Sequence, residues 1–125
     1  MINNKGGDTL TLASALTAAT YTNTLGSIDP AAQNIALSGD LIMTAGTMTA
    51  GSGTHDVNGS LTLNGGTYNA TSGNTTLAGN FDSTGGGTFT HNSGTVTLDG
   101  TSQSVLGTNT FNALTKTEGA DDATD

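Results

Sequence analysis

Three consecutive stretches of this chain repeat one pattern, and that repeat restricts the fold more than any other feature. Residues 41–60 read LIMTAGTMTAGSGTHDVNGS, residues 61–80 read LTLNGGTYNATSGNTTLAGN, and residues 81–101 read FDSTGGGTFTHNSGTVTLDGT with one glycine added. Gly46, Gly66 and Gly87 correspond, as do Gly53, Gly73 and Gly94, and again Gly59, Gly79 and Gly100. A fixed period of this size is the mark of a repeat architecture, in which one unit cannot bury its own apolar face and neighbouring units must stack.

Within each unit the apolar residues alternate with polar ones. The first segment holds Leu41 and Met43, then Leu61 and Leu63, then Phe81. The second holds Met48, Tyr68 and Phe89. The third holds His55 and Val57, then Thr75 and Leu77, then Val96 and Leu98. Alternation with a period of two beside β-branched neighbours signals strands, and the glycine and asparagine clusters between them signal turns. There is no room for a helix between such strands. Three short strands and about twenty residues per coil, stacked in parallel at about 4.8 Å, make an all-β, right-handed parallel β-solenoid, or β-helix; the hand is the general preference of parallel crossovers. Inward residues should then form columns: Leu41–Leu61–Phe81, Met48–Tyr68–Phe89 and Val57–Leu77–Leu98.

Such a core is narrow, which reconciles the fold with the composition. Only 33% of residues are hydrophobic and 4% aromatic, whereas threonine occurs 26 times and glycine 19 times. Low apolar content suggests disorder when charges and prolines abound. Here 10% of residues are charged and one is proline.

The pattern weakens toward both ends. Residues 34–40, NIALSGD, match the third segment, with Ile35 and Leu37 inward. Before them LGSIDPAAQ, with the single proline, is expected to be a wide turn or inserted loop. Thr9–Leu12 and Thr20–Thr22 resemble strands of a first coil; Leu10, Leu12, Leu16 and Ala19 would alternatively form a short capping helix. Residues 1–24 are thus read as an irregular first coil or N-terminal cap, 25–117 as solenoid coils and 118–125 as an acidic tail or linker. Val105, Phe111 and Leu114 continue the inward series.

The run TFTHNSGTVTLDGTSQSVLGTNTFNALTKT, residues 88–117, resembles a segment that recurs in large bacterial surface proteins. It has a strand, a Ser/Asn-Gly turn, a T-V-T-hydrophobic strand, a Gly-Thr turn and a closing F-N-x-L-T strand. The β-helices of filamentous-haemagglutinin and autotransporter-like adhesins are built on similar coils. The resemblance covers about a quarter of the chain and implies an extracellular fibre, adhesin passenger or surface-layer repeat. No catalytic residue carries over with it.

Charge and motifs narrow the function further. Ten acids stand against Lys5 and Lys116, a net charge of −8. A nucleic-acid partner is not expected, because nothing would neutralise phosphates. No apolar run approaches the roughly 20 residues that span a bilayer, so membrane insertion is not expected. Leu10–Ala19 carries Thr and Ser throughout and follows Asp8, a poor match to a signal-peptide core. Without cysteine there is no disulfide or thiolate chemistry.

Carbohydrate-cleaving solenoids need two carboxylates facing one cleft, but Asp40, Asp56, Asp82 and Asp99 fall at different repeat positions. Asp40 and Asp99 belong to turns, and Asp56 and Asp82 point outward. His55 is placed inward and His91 beside a turn, and neither has the several converging ligands that a metal needs. Gly65-Gly66-Thr67 and Gly85-Gly86-Gly87-Thr88 lack the acid of a glycine-rich calcium turn. No cofactor is implied. The sequons at Asn58, Asn69 and Asn74 are common by chance in so Asn- and Thr-rich a chain.

The remaining candidate is a flat polar array. Thr47 and Thr49, Thr67 and Asn69, and Thr88 and Thr90 flank the inward Met48, Tyr68 and Phe89. Stacked, they would form two columns on one face, similar to the T-x-T arrays of ice-binding solenoids; the simpler reading is that threonine favours exposed strands. The expectation is therefore a non-catalytic extracellular or cell-surface structural or adhesive module. Its partners would be copies of itself or adjacent modules, meeting at the open solenoid ends and assembling into a filament. The alternative is a binding module that takes ice or a glycan on the threonine face.

Overall fold

The computed structural model describes residues 1–117, and the expected acidic tail or linker, 118–125, lies outside the described residues. The described chain is all β, a solenoid of about six coils. Coil one holds β1 (Ile2–Thr11) and β2 (Leu16–Ala18), and coil two holds β3 (Tyr21–Ala31) and β4 (Ile35–Leu37). Coil three holds β5 (Leu41–Met43), β6 (Thr47–Ala50) and β7 (His55–Val57); coil four holds β8 (Leu61–Leu63), β9 (Thr67–Asn69) and β10 (Asn74–Leu77). Coil five holds β11 (Phe81–Asp82), β12 (Thr88–Thr90) and β13 (Thr95–Leu98), and coil six holds β14 (Val105–Leu106) and β15 (Ala113–Lys116).

Every strand pairing is parallel and joins consecutive coils. The third face is a six-stranded sheet in the order β15-β13-β10-β7-β4-β2. The first and second faces merge, because β3 is long enough to pair with β5 by its first half and β6 by its second. Along the first face Tyr21, Leu41, Leu61, Phe81 and Val105 stand in register. On the second, Leu10, Ile28, Met48, Tyr68 and Phe89 do so. On the third, Ala18, Leu37, Val57, Leu77 and Leu98 line up, ending at Lys116.

Alternation explains the burial. In β5 and β8 the outer residues are sealed while Ile42 and Thr62 between them are partly exposed. Removing each inward Leu, Met or Phe side chain from water contributes about 1.5–3 kcal/mol.

Corners are paired as well as strands. The amide of Thr44 donates to Asn23 O at 2.8 Å, that of Asn64 to Met43 O at 2.8 Å, and that of Gly87 to Leu63 O at 3.1 Å. At the corner between the third and first faces, polar side chains carry the ladder. Asp40 Oδ1 accepts from the Ser60 amide at 2.8 Å, Ser60 Oγ from the Asn80 amide at 3.0 Å, and Asn80 Oδ1 from the Ser104 amide at 2.9 Å. Asp40 is thus a turn acceptor, as its position in the repeat implied.

Several expectations at the ends are corrected. Leu10–Ala19 forms no helix: Leu10 lies in β1 and Leu16 in β2, each paired to the next coil. LGSIDPAAQ is not an inserted loop, since Leu25–Ala31 belongs to β3 and the turn is confined to the residues that follow. Pro30, which has no amide to give a ladder, occupies a register shift between Ile28 and Ala31. The 24/25 boundary falls inside β3. Val105 and Leu114 keep their register but are 37% and 45% exposed, with no further described coil over them. In the third repeat the left-handed glycine is Gly86 (φ 95°) rather than its sequence counterpart Gly87, the added residue having shifted the turn by one place.

The first corner gives a test. Gly46 has φ 74°, and a Cβ there would lie 1.9 Å from Gly26 O of the coil before it. Gly86 also has positive φ, but nothing lies within 4 Å of a Cβ. Gly86→Ala should cost about 1–2 kcal/mol, the left-handed strain alone, and Gly46→Ala at least about 3 kcal/mol because backbone must also move. Urea unfolding of the two variants measures the difference; equal losses would show that the coils are not stacked this tightly.

Candidate functional site

The threonine array exists and is longer than the sequence suggested. β6, β9 and β12 bring Thr47, Thr67 and Thr88 into one column and Thr49, Asn69 and Thr90 into another. All six are partly or fully exposed, and the inward residues between them, Met48 and Tyr68, are sealed while Phe89 is half-buried. The first column continues through Ser27 to Thr9, giving five rungs. Beyond Thr49 the second column is interrupted by the register shift after Ile28; Asp29 and Thr11 occupy its first two rungs.

Repeating β-strand geometry sets the lattice. Rungs lie about 4.8 Å apart, and the two columns about 6.6 Å apart along each strand. The hydroxyls of Thr9, Ser27, Thr47, Thr67, Thr88 and Thr90 make no hydrogen bond with another described residue. Within the second column Asn69 Nδ2 reaches Thr49 Oγ1 at 3.4 Å. The third face differs: Thr76 Oγ1 accepts from Asn74 Nδ2 at 3.0 Å, and Thr97 Oγ1 donates to Asn74 Oδ1 at 2.9 Å. Hydroxyls of the second face are therefore presented outward, whereas these two are used within the sheet. Asp29 is the single ionisable group on the array, and its Oδ1 is held by the Ala31 amide at 2.7 Å.

Elsewhere the ionisable groups are dispersed. Among the described residues no three His, Cys, Asp or Glu side chains come together as a metal site would require. Asp56 is exposed on the third face. Asp82 accepts from the hydroxyl and the amide of Thr84 at 2.6 and 2.8 Å, which hold its carboxyl below the usual carboxylate range. His91 lies at a turn, where its Nδ1 accepts from the Ser93 amide at 3.0 Å. A shallow groove of about 450 Å³ beside Ala18, Ala36 and Asn58 brings in no ionisable side chain.

Inside the coils, polar chemistry is concentrated at two places. Asn23 is sealed at the first corner, where its Oδ1 accepts from Asn3 Nδ2 at 2.7 Å and from Tyr21 OH at 3.0 Å, and its Nδ2 donates to Ala45 O at 2.7 Å. Burial pushes the Tyr21 hydroxyl up to about 12. In the middle of the stack, Tyr68 OH lies 2.8 Å from His55 Nδ1 and 3.3 Å from Thr75 Oγ1. His55 is fully buried, and its Nε2 has no partner among the described residues. The placement of His55 as an inward residue was legible from alternation. Its contact with Tyr68 was not, because it crosses the coil from one face to another.

Comparison with protein-family models, with curated proteins and with solved structures finds no match for this chain.

The buried imidazole generates a pH dependence. Burial lowers His55 from 6.5 to about 4. Between those values the unfolded chain binds a proton that the folded chain does not. Stability is therefore complete above the unfolded value, falls as pH drops, and levels off below the folded one. The loss is about 3 kcal/mol. His55→Leu should flatten this slope while Tyr68 keeps Thr75 as partner. Urea unfolding of both proteins at several pH values between 7.5 and 4 reads the difference; parallel slopes would show that His55 is not sealed.

Proposed function

We propose that this chain is a non-catalytic structural or adhesive module of an extracellular or cell-surface protein, whose coils are extended end to end into a filament or longer rod. One observation carries the reading. Among the described residues the exposed large apolar side chains are Met1, Ile2, Leu25, Val105, Leu106 and Leu114, and all belong to the terminal coils or the corner beside them. Coils three to five expose none. A monomer's surface normally carries such residues singly and scattered. Apolar residues gathered on the outer coils and polar middle coils suit a building block that joins along its axis. The dispersal of Asp40, Asp56, Asp82 and Asp99 over turns and separate faces supports a non-catalytic role, since acid–base chemistry needs converging groups. The resemblance of residues 88–117 to adhesin and autotransporter-like coils supports the surface location; that run forms most of coils five and six.

A second reading is favoured by the unpartnered hydroxyls of the second face: a binding surface for an ordered lattice of polar groups, ice or a glycan. A flat five-rung column keeps its hydroxyls fixed in advance, which lowers the ordering cost of binding.

Light scattering over a wide concentration range, with electron microscopy, tests the first reading. The expected particles are rods whose lengths are multiples of one module, roughly 30 Å for six coils. A strict monomer at every concentration would sink it. Ice-crystal shaping and co-sedimentation with insoluble polysaccharides test the second. There, Thr67→Lys at the middle of the column should weaken binding by about tenfold or more, and an unchanged response would remove this face from consideration.

A further inference from the structure

We propose that the Asn58–Gly59 corner is a self-modification site, where the asparagine amide is lost as ammonia through a cyclic imide and water leaves aspartate or isoaspartate in its place. The site lies between coils three and four and is independent of how the module is extended.

The chain holds two Asn-Gly pairs, Asn58–Gly59 and Asn64–Gly65. Glycine after asparagine leaves the following amide nitrogen open to the side-chain carbonyl, since no Cβ stands in the way. The fold treats the two pairs differently. At Asn64 the Gly65 amide donates to Met43 O at 3.2 Å. Coil five also presses on this residue: a Cβ on Gly85 would lie 2.7 Å from Asn64 Oδ1 and 2.5 Å from its Cα. Asn58, by contrast, is exposed, lines the shallow groove beside Ala18 and Ala36, and its side chain has no partner among the described residues. The Gly59 amide has none either. Its counterparts on this corner are tied: the Gly39 amide donates to Ala19 O at 2.6 Å, and the Gly79 amide to Gly59 O at 2.7 Å. At Asn92 the following residue is serine, and the Ser93 amide is held by His91 Nδ1 at 3.0 Å. Only at Asn58 do an open side chain, an unhindered neighbour and a free amide nitrogen coincide.

Ring closure joins the Gly59 nitrogen to Asn58 Cγ. The nitrogen gives up its proton, the Cγ–Nδ2 bond breaks, and Nδ2 leaves with the proton as ammonia. Water then adds to either imide carbonyl. Cleavage at Cγ restores the ordinary main chain with an aspartate side chain. Cleavage at the main-chain carbonyl carbon routes the chain through Cβ and Cγ as isoaspartate. Water enters, ammonia leaves, and nothing is oxidised or reduced. Isoaspartate lengthens the corner by one backbone atom where there is no slack. A Cβ on Gly59 would lie 2.3 Å from Asp40 Oδ1, the atom that accepts the Ser60 amide at 2.8 Å. Either product also adds a carboxylate to the corner that carries Asp40.

The folded chain, and the chain unfolded in urea, are incubated in warm, mildly alkaline buffer, and conversion at each asparagine is followed by peptide mass spectrometry. In the folded chain Asn58 should convert about tenfold faster than Asn64, whose glycine amide must first be freed from a packed corner. In urea the difference should vanish, since both pairs are then the same dipeptide. Equal rates in the folded chain, or faster loss at Asn64, would overturn the proposal. Asn58→Gln is the second variant: its longer side chain closes the ring far less readily, and the exposed position leaves the fold intact. The aged natural chain should unfold at lower urea than the variant aged beside it. Equal losses in both would place the damage elsewhere and overturn the assignment.

Discussion

In-register parallel pairing of each coil with the next is the constraint on which the rest depends. Strands of three or four residues are too short to hold together alone, and one coil has no interior worth the name. Stacking satisfies backbone groups above and below at once and turns isolated inward side chains into continuous columns. The corners must stack as closely as the strands. This is why glycine recurs there: at Gly46 a Cβ would meet the carbonyl of the coil before. It is also why polar side chains recur at positions 40, 60 and 80, each receiving the amide of the following coil. Turn chemistry and ladder geometry are one requirement seen at two places.

A core made of columns tolerates a low apolar content but is strict about what enters it. Most rungs are Leu, Met, Ile, Val or aromatic. The polar exceptions are paired across coils or across the interior. Asn3 and Asn23 bond one another at the first corner, and Tyr68 links His55 with Thr75. His55 Nε2 is the one buried polar side-chain atom left without a partner among the described residues. An unpaired buried polar atom destabilises, so this rung is the weak point of the middle coils, and protonation makes it weaker. In a solenoid, where each coil touches only its neighbours, a fault there separates the two halves.

Chemistry and surface are divided by the same geometry. Inward positions are spent on packing and corners on the ladder, so what remains for recognition is the outward residues and the ends. The first column of the second face offers aligned hydroxyls free of partners among the described residues, and the outer coils offer exposed apolar side chains. Neither arrangement brings ionisable groups together.

The sequence by itself determined the period, the inward columns of coils three to five, the turns and the threonine pairs at 47/49, 67/69 and 88/90. These are local: alternation and glycine spacing follow from strand and turn geometry acting over a few residues. The sequence did not disclose the first two rungs of the threonine column. Just before Thr9 the register of β1 on β3 slips at bulges, and a fixed-period comparison fails where residues are inserted or lost. Nor did it disclose the merging of two faces in β3, where the proline had suggested a loop. Only the tertiary structure decided the His55–Tyr68 contact and the absence of exposed large apolar residues from coils three to five. Both depend on which coil lies against which.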